Sequence, residues 1–215
     1  MRFIETLNED DVVAHFLKYE IRSDRFGRAI CDLLEQNGWP VSLLEQPDLQ
    51  SAEQCSIRAK VLSEFRGYQR NEGMFEGFPK DVAWARFAIS SLELMQVQYV
   101  DYSYWNELSG GSRLPSDAAI RIRKGAMVFG MSTHHFLEMA EALRNGAKYP
   151  ELIVVGTEAH STLVILEGHA RLTAYALVPD LIPRDLTVIV GLSAAMSAWR
   201  DFPLFDRNGL NADRK

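Results

Sequence analysis

The stretch 162–177, TLVILEGHARLTAYAL, constrains this chain more than any other. Leu163, Val164, Ile165 and Leu166 form a continuous apolar run, the pattern of a buried strand. Glu167-Gly168-His169 follows at once, and a helix begins without a spacer, with Leu172, Tyr175 and Ala176 on one face. This strand–turn–helix unit crowds a carboxylate, an imidazole and the Arg171 guanidinium at one junction. The first backbone N–H groups of a helix are unpaired and carry partial positive charge, so such a junction suits an anion.

The flanking sequence supplies layers around the unit. Apolar spacing predicts a helix from Ser132 or Thr133 to Arg144, with Phe136, Met139, Ala140 and Leu143 on its face. A short strand over 126–129 precedes it. Leu152 to Val155 reads as a buried strand, the polar turn from Gly156 to Ser161 makes a hairpin, and Leu186 to Val190 reads as a further strand. Residues 126–191 thus alternate β-α-β-β-α-β, a small mixed sheet with helices. A short helix is expected over 118–124 and a last one over 193–199.

The first half reads as helical. Helices are expected over 10–20, then within 20–38 with Ser23 or Asp24 as cap, over 52–67, over 81–89 carrying Trp84, and over 91–99. The loop RGYQRNEGMFEGFP, 66–79, is long and glycine-rich. Arg66 and Arg70 are placed to reach a phosphate and Tyr68 or Phe75 to stack on a base; the alternative is a packed loop whose aromatics cover the core. Arg22, Arg25 and Arg28 cluster beside Glu20, either ion-paired in solvent or as an anion-binding arm. Ser109 to Arg113 marks the expected boundary. The fold class is therefore α+β: a helical N-terminal region over 1–110, a mixed α/β domain over 111–200, and a polar tail over 201–215.

Composition sets limits on function. The chain has 23 Lys and Arg against 29 Asp and Glu, a net charge of −6, which disfavours a broad basic surface for nucleic acid. No apolar run is long enough for a bilayer, and the acidic start MRFIETLNEDDVV does not read as a secretory signal. Cys31 and Cys55 lack CxxC partners and read as free thiols, so a cytoplasmic protein with no membrane association is expected.

At the junction each residue type has a chemical use. Gly168 permits positive φ and close backbone approach. The Arg171 fork matches phosphate oxygens. His169 can donate to an oxyanion or shuttle a proton near neutral pH, and Glu167 can hold Mg2+ or accept a proton from a hydroxyl. The plainer alternative is that Glu167 pairs with Arg171 and His169 caps the helix. His134 and His135 point in different directions on their helix and read as surface residues.

The order of helix, strand IVV, hairpin, strand-and-helix VILEGHARLTAYAL and strand TVIV resembles the ParB/sulfiredoxin superfamily over Val128 to Gly191. ParB proteins carry G-E-R-R at the matching junction, sulfiredoxins G-C-H-R, and a branch of free-serine kinases D-G-H-H-R. E-G-H-A-R here is most similar to the last, with Ala170 in place of the second histidine, and the missing cysteine argues against sulfiredoxin activity. The resemblance implies nucleotide binding, ATP or another nucleotide such as CTP with Mg2+, by Gly168, His169, Ala170 and Arg171. It implies Glu167 and His169 as catalytic residues, Glu167 also as metal ligand, and a kinase or nucleoside triphosphatase with an acceptor the sequence does not identify. A non-catalytic nucleotide switch, a DNA-associated ParB-like protein or a ParB-like nuclease is the alternative. No helix-turn-helix is evident after the junction.

Overall fold

The computed structural model describes residues 1–23 and 25–203. The Asp24 capping reading and the tail from Phe205 to Lys215 lie outside the described residues. Strand β1 (Arg2–Leu7) leads into helix α1 (Glu9–Glu20). A capping box starts α1: the Asn8 side chain accepts from the Asp11 amide, and the Asp11 carboxylate accepts from the Asn8 amide. Helices α2 (Gly27–Gln36), α3 (Ser42–Glu45) and α4 (Ala52–Arg66) follow. Then come β2 (Ala83–Ile89), α5 (Ser91–Leu94), α6 (Ser103–Ser109) and α7 (Pro115–Arg123). The hairpin of β3 (Met127–Val128) and β4 (Met131–Ser132) precedes α8 (His134–Arg144), β5 (Leu152–Gly156), β6 (Val164–Glu167), α9 (His169–Leu177) and β7 (Leu186–Leu192).

Among the described residues, five strands form one mixed sheet in the order β1-β2-β7-β5-β6, so the molecule is of the α+β class. Only β5 and β7 run parallel; β5–β6 is the expected hairpin. After that hairpin the chain crosses through α9 and returns as β7 on the far side of β5. Side chains alternate across the sheet. Ile153, Val155, Val164, Leu166 and Ile189 join Val13, Phe16, Val61 and Leu62 of α1 and α4 in one core. Leu152, Val154, Ile165, Val188 and Val190 join Ala119, Phe136, Ala140 and Leu172 of α7, α8 and α9 in the other. The sheet thus separates two helical layers, and strands on both sides of the 109–113 turn belong to it.

Three local expectations are corrected. Residues 83–89 are a strand, not a helix. Their alanines favour helix, yet the segment pairs along its length with both β1 and β7, and pairing on two edges overrides a propensity of a few tenths of a kcal/mol per residue. Trp84 faces Gly191 across the β2–β7 pair, where a Cβ would come within 2.4 Å of the indole. The N-terminal region is therefore not wholly helical, since it also supplies β1. The expected helix over 193–199 is only the 3-10 turn Met196–Ala198, and that over 91–99 ends at Leu94. Among the described residues no helix is long and apolar enough to cross a membrane.

Candidate anion-binding site at the β6–α9 junction

Gly168 makes the sharp turn possible. Its φ of 104° lies in the left-handed region, and a Cβ there would stand 2.5 Å from Leu152 Cδ2 and 3.2 Å from Arg171 Cζ. It occupies the N-cap position of α9, and no side chain caps this helix. The alternative in which His169 caps the helix is not realised, and among the described residues the first-turn amides of His169, Ala170 and Arg171 have no side-chain acceptor.

Arg171 turns away from those amides. Its Nη1 donates to the carbonyl oxygens of Pro150, at 3.0 Å, and Glu151, at 2.8 Å. Its Nη2 donates to the Glu167 carboxylate. The guanidinium therefore ties the end of β6 to the chain entering β5. Burial lowers its pKa to about 10, which leaves it a cation at neutral pH. The pairing of Glu167 with Arg171 is the plainer of the two sequence alternatives for these residues.

His169 sits in an aromatic stack. Its ring lies 4.8 Å from that of Trp105, tilted 21°, and 6.4 Å from that of Tyr99, tilted 9°. The Tyr99 hydroxyl is 2.7 Å from Thr173 Oγ1, and the Thr173 hydroxyl donates to the His169 carbonyl at 2.8 Å, which locks the first turn of α9. Nε2 of His169 is inaccessible and has no partner among the described residues. Burial pushes the imidazole pKa down to about 3, and the charge of Arg66 adds to the push. The side chain is thus neutral near pH 7 and able to donate or accept a hydrogen bond.

Arg66, at the end of α4, comes to this place from the opposite helical layer. It pairs with Glu20 of α1, a carboxylate only 3% exposed. Its Cζ lies 4.1 Å from the Phe26 ring centroid. Its Nε is buried without a partner among the described residues. Among Arg22, Arg25, Arg66 and Arg70, the charge that acts on His169 is that of Arg66. Arg22 pairs with Glu45 at 3.5 Å in solvent, and Arg70 pairs with Glu64. Arg25 covers Phe26 at 4.7 Å.

The sequence around Tyr99 and Trp105 did not reveal their stacking on His169. Sequence reading also missed Glu151, whose carbonyl holds Arg171 and whose carboxylate accepts from Arg86 Nε at 2.7 Å. Only the aromatic cluster at 99–105 offered a signal. His134 is a surface residue, 3.8 Å from Glu138 one turn on. Among the described residues no group of three or more His, Cys, Asp or Glu side chains is arranged to hold a metal ion. A cavity of about 660 Å³ lies elsewhere, beside α1, and shares no residue with the junction.

Comparison of the chain with protein-family models, curated proteins and solved structures finds no match to any of them.

Proposed function

We infer that this protein binds a nucleotide through its phosphates at the start of α9 and acts as a phosphotransferase or nucleotide hydrolase, in line with the resemblance of residues 128–191 to ParB and sulfiredoxin proteins. One observation carries the reading: an uncapped helix start behind a left-handed glycine, with two buried nitrogens, His169 Nε2 and Arg66 Nε, lacking acceptors among the described residues. A phosphate group supplies acceptors for the first-turn amides, and reaches the two buried nitrogens once the side chains covering them move aside. The amides of His169, Ala170 and Arg171 take phosphate oxygens, His169 donates from its neutral ring, and Arg66 contributes charge. Arg171 acts indirectly, by fixing the turn. Glu167 is the carboxylate positioned to take a proton from an attacking hydroxyl or water, once it leaves Arg171.

ATP is the first nucleotide to test and CTP the second. The chain's own donors do not fit a protein-held Mg2+, because the junction offers Glu167 alone and that carboxylate is engaged by Arg171. A Mg2+ would enter on the nucleotide's phosphates, and no step is routed through it. The phosphate acceptor has no assigned chemistry. A cytoplasmic setting suits the free thiols Cys31 and Cys55.

The second reading is a non-catalytic nucleotide switch. The Glu167–Arg171 pair and the neutral His169 favour it, because neither side chain is poised for acid–base work near pH 7. A DNA-associated or nuclease variant of this reading runs against the net charge of −6.

Thermal shift against ATP, ADP, CTP and GTP with Mg2+ tests both readings. Stabilisation by at least one nucleotide is expected, and none from any of the four refutes both. Ala170→Asp places a carboxylate among the first-turn amides, where the helix dipole favours it but a phosphate is repelled. It should abolish the nucleotide shift, and because Ala170 is half-buried against the core the shift is read against the variant's own melting point. Glu167→Gln that binds but no longer turns over supports the enzyme; binding without turnover in the parent chain supports the switch.

A further inference from the structure

We propose that the cavity between the 68–80 loop and α1 is a second ligand site, built for a small aromatic or branched apolar carboxylate. Its volume of about 660 Å³ is in the range of small-molecule sites. Tyr68 and Phe75, 8% and 6% exposed, form its floor with Phe78. The Tyr68 and Phe75 rings meet edge to face at 5.4 Å, and those of Phe75 and Phe78 at 5.2 Å. Behind this floor lies an apolar recess of about 20 Å³, reaching Trp84 and Leu166 and large enough only for a methyl-sized group.

The walls are fixed before any ligand arrives. The Gly77 amide donates to Asn71 Oδ1 at 2.6 Å, and the Trp199 indole donates to the Met74 carbonyl at 2.7 Å. The Arg200 amide donates to the Glu76 carbonyl at 3.0 Å. Gln69 and Asn71, both lining the cavity, hold φ of 61° and 56°. A left-handed glutamine costs about 1–2 kcal/mol, and such strain collects at ligand clamps.

The polar rim selects the charge. Glu9 is hydrogen-bonded to the Tyr68 hydroxyl, and its charge together with burial raises that phenol above its ordinary pKa. Arg70 is held by Glu64. The acidic groups at the rim are thus engaged. The Lys80 ammonium and the Asn71 NH2 have no acceptor among the described residues; the Asn71 amide is oriented by its bond from Gly77. Unpaired donors above an aromatic floor match a carboxylate on an apolar stem. Apart from Leu166 at the end of the recess, this site shares no residue with the β6–α9 junction, and it does not depend on the reading given there.

The test uses phenylpropionate, phenylpropanol and phenylpropylamine, a matched series of anion, neutral and cation, followed by saturation-transfer NMR and calorimetric titration of the full chain. Phenylpropionate should bind tightest and phenylpropylamine weakest. Lys80→Glu should weaken phenylpropionate by roughly tenfold without moving the melting point, because Lys80 is exposed and makes no ion pair among the described residues. Phe78→Leu, which keeps apolar bulk and removes the ring, should weaken all three probes. Absence of binding by the series, preference for the amine, or phenylpropionate binding indifferent to Lys80→Glu would each overturn the proposal. Nucleotide-induced thermal shift stays unchanged in Lys80→Glu, so failure here is distinguishable from failure at the junction.

Discussion

Arg171→Met separates a structural arginine from a phosphate ligand. The substitution removes the guanidinium and keeps most of its volume. Two acceptors lose their donor, the Pro150 carbonyl and the Glu167 carboxylate, while the Glu151 carbonyl keeps His15 Nε2 at 3.1 Å. The paired side chains are 10% and 19% exposed, so water replaces the guanidinium only in part. Stripping one partner from a buried ion pair costs about 3–5 kcal/mol. The residual exposure of Glu167 moves the expectation to the lower end, about 3 kcal/mol, with the two carbonyl bonds included. For a chain of this size each kcal/mol shifts the midpoint by about 2–4 °C, so the melting temperature should fall by roughly 6–12 °C. Circular-dichroism melts and urea titrations at pH 7 measure it. Adding Glu167→Gln should recover about 1 kcal/mol or more, because the stranded carboxylate is gone. A single mutant that melts within about 1 °C of the parent yet loses nucleotide binding would refute the structural assignment and return Arg171 to the phosphate.

Three further outcomes follow from particular residues. The unfolded His169 imidazole takes up a proton below its ordinary pKa of 6.5, whereas the folded one resists until about 3. Between those values the unfolded state binds more protons, so stability falls as pH falls, by at most about 5 kcal/mol from this group; His169→Gln should flatten the decline of the urea midpoint from pH 7 to 4. Phe129 holds φ 49° at the tip of the β3–β4 hairpin and is 64% exposed, so Phe129→Gly should raise stability by about 1 kcal/mol in urea titration. Gly168→Ala should lower stability by about 1–3 kcal/mol in the same assay, since φ 104° is strained for any side chain.

The C-terminal half was legible because its signals are local. Continuous apolar runs gave β5, β6 and β7, and Gly168 between a strand and an amphipathic run gave the junction. The N-terminal half was less so. β1 is an exposed edge strand whose identity depends on pairing with β2, and β2 depends in turn on β7, nearly a hundred residues on. No window along the chain contains that information. The same reason hid Glu151 and Pro150, which act on Arg171 through backbone carbonyls and so leave no mark of residue type.

The His169 ring shows why the site cannot belong to the C-terminal half alone. Trp105 and Tyr99, from the segment around α6, fix its plane. Arg66, from α4, and Glu20, from α1, set the charge on its other approach. Two carboxylates and two guanidiniums balance there as Glu20–Arg66 and Glu167–Arg171. A phosphate entering this balanced set adds negative charge that the helix start must meet. Its natural compensation is Arg66 exchanging Glu20 for the phosphate, since Arg66 retains an unsatisfied Nε while Arg171 is bound at both terminal nitrogens. Glu20→Gln should therefore strengthen nucleotide binding in titration calorimetry, and weakened binding in that variant would show that Arg66 stays with α1.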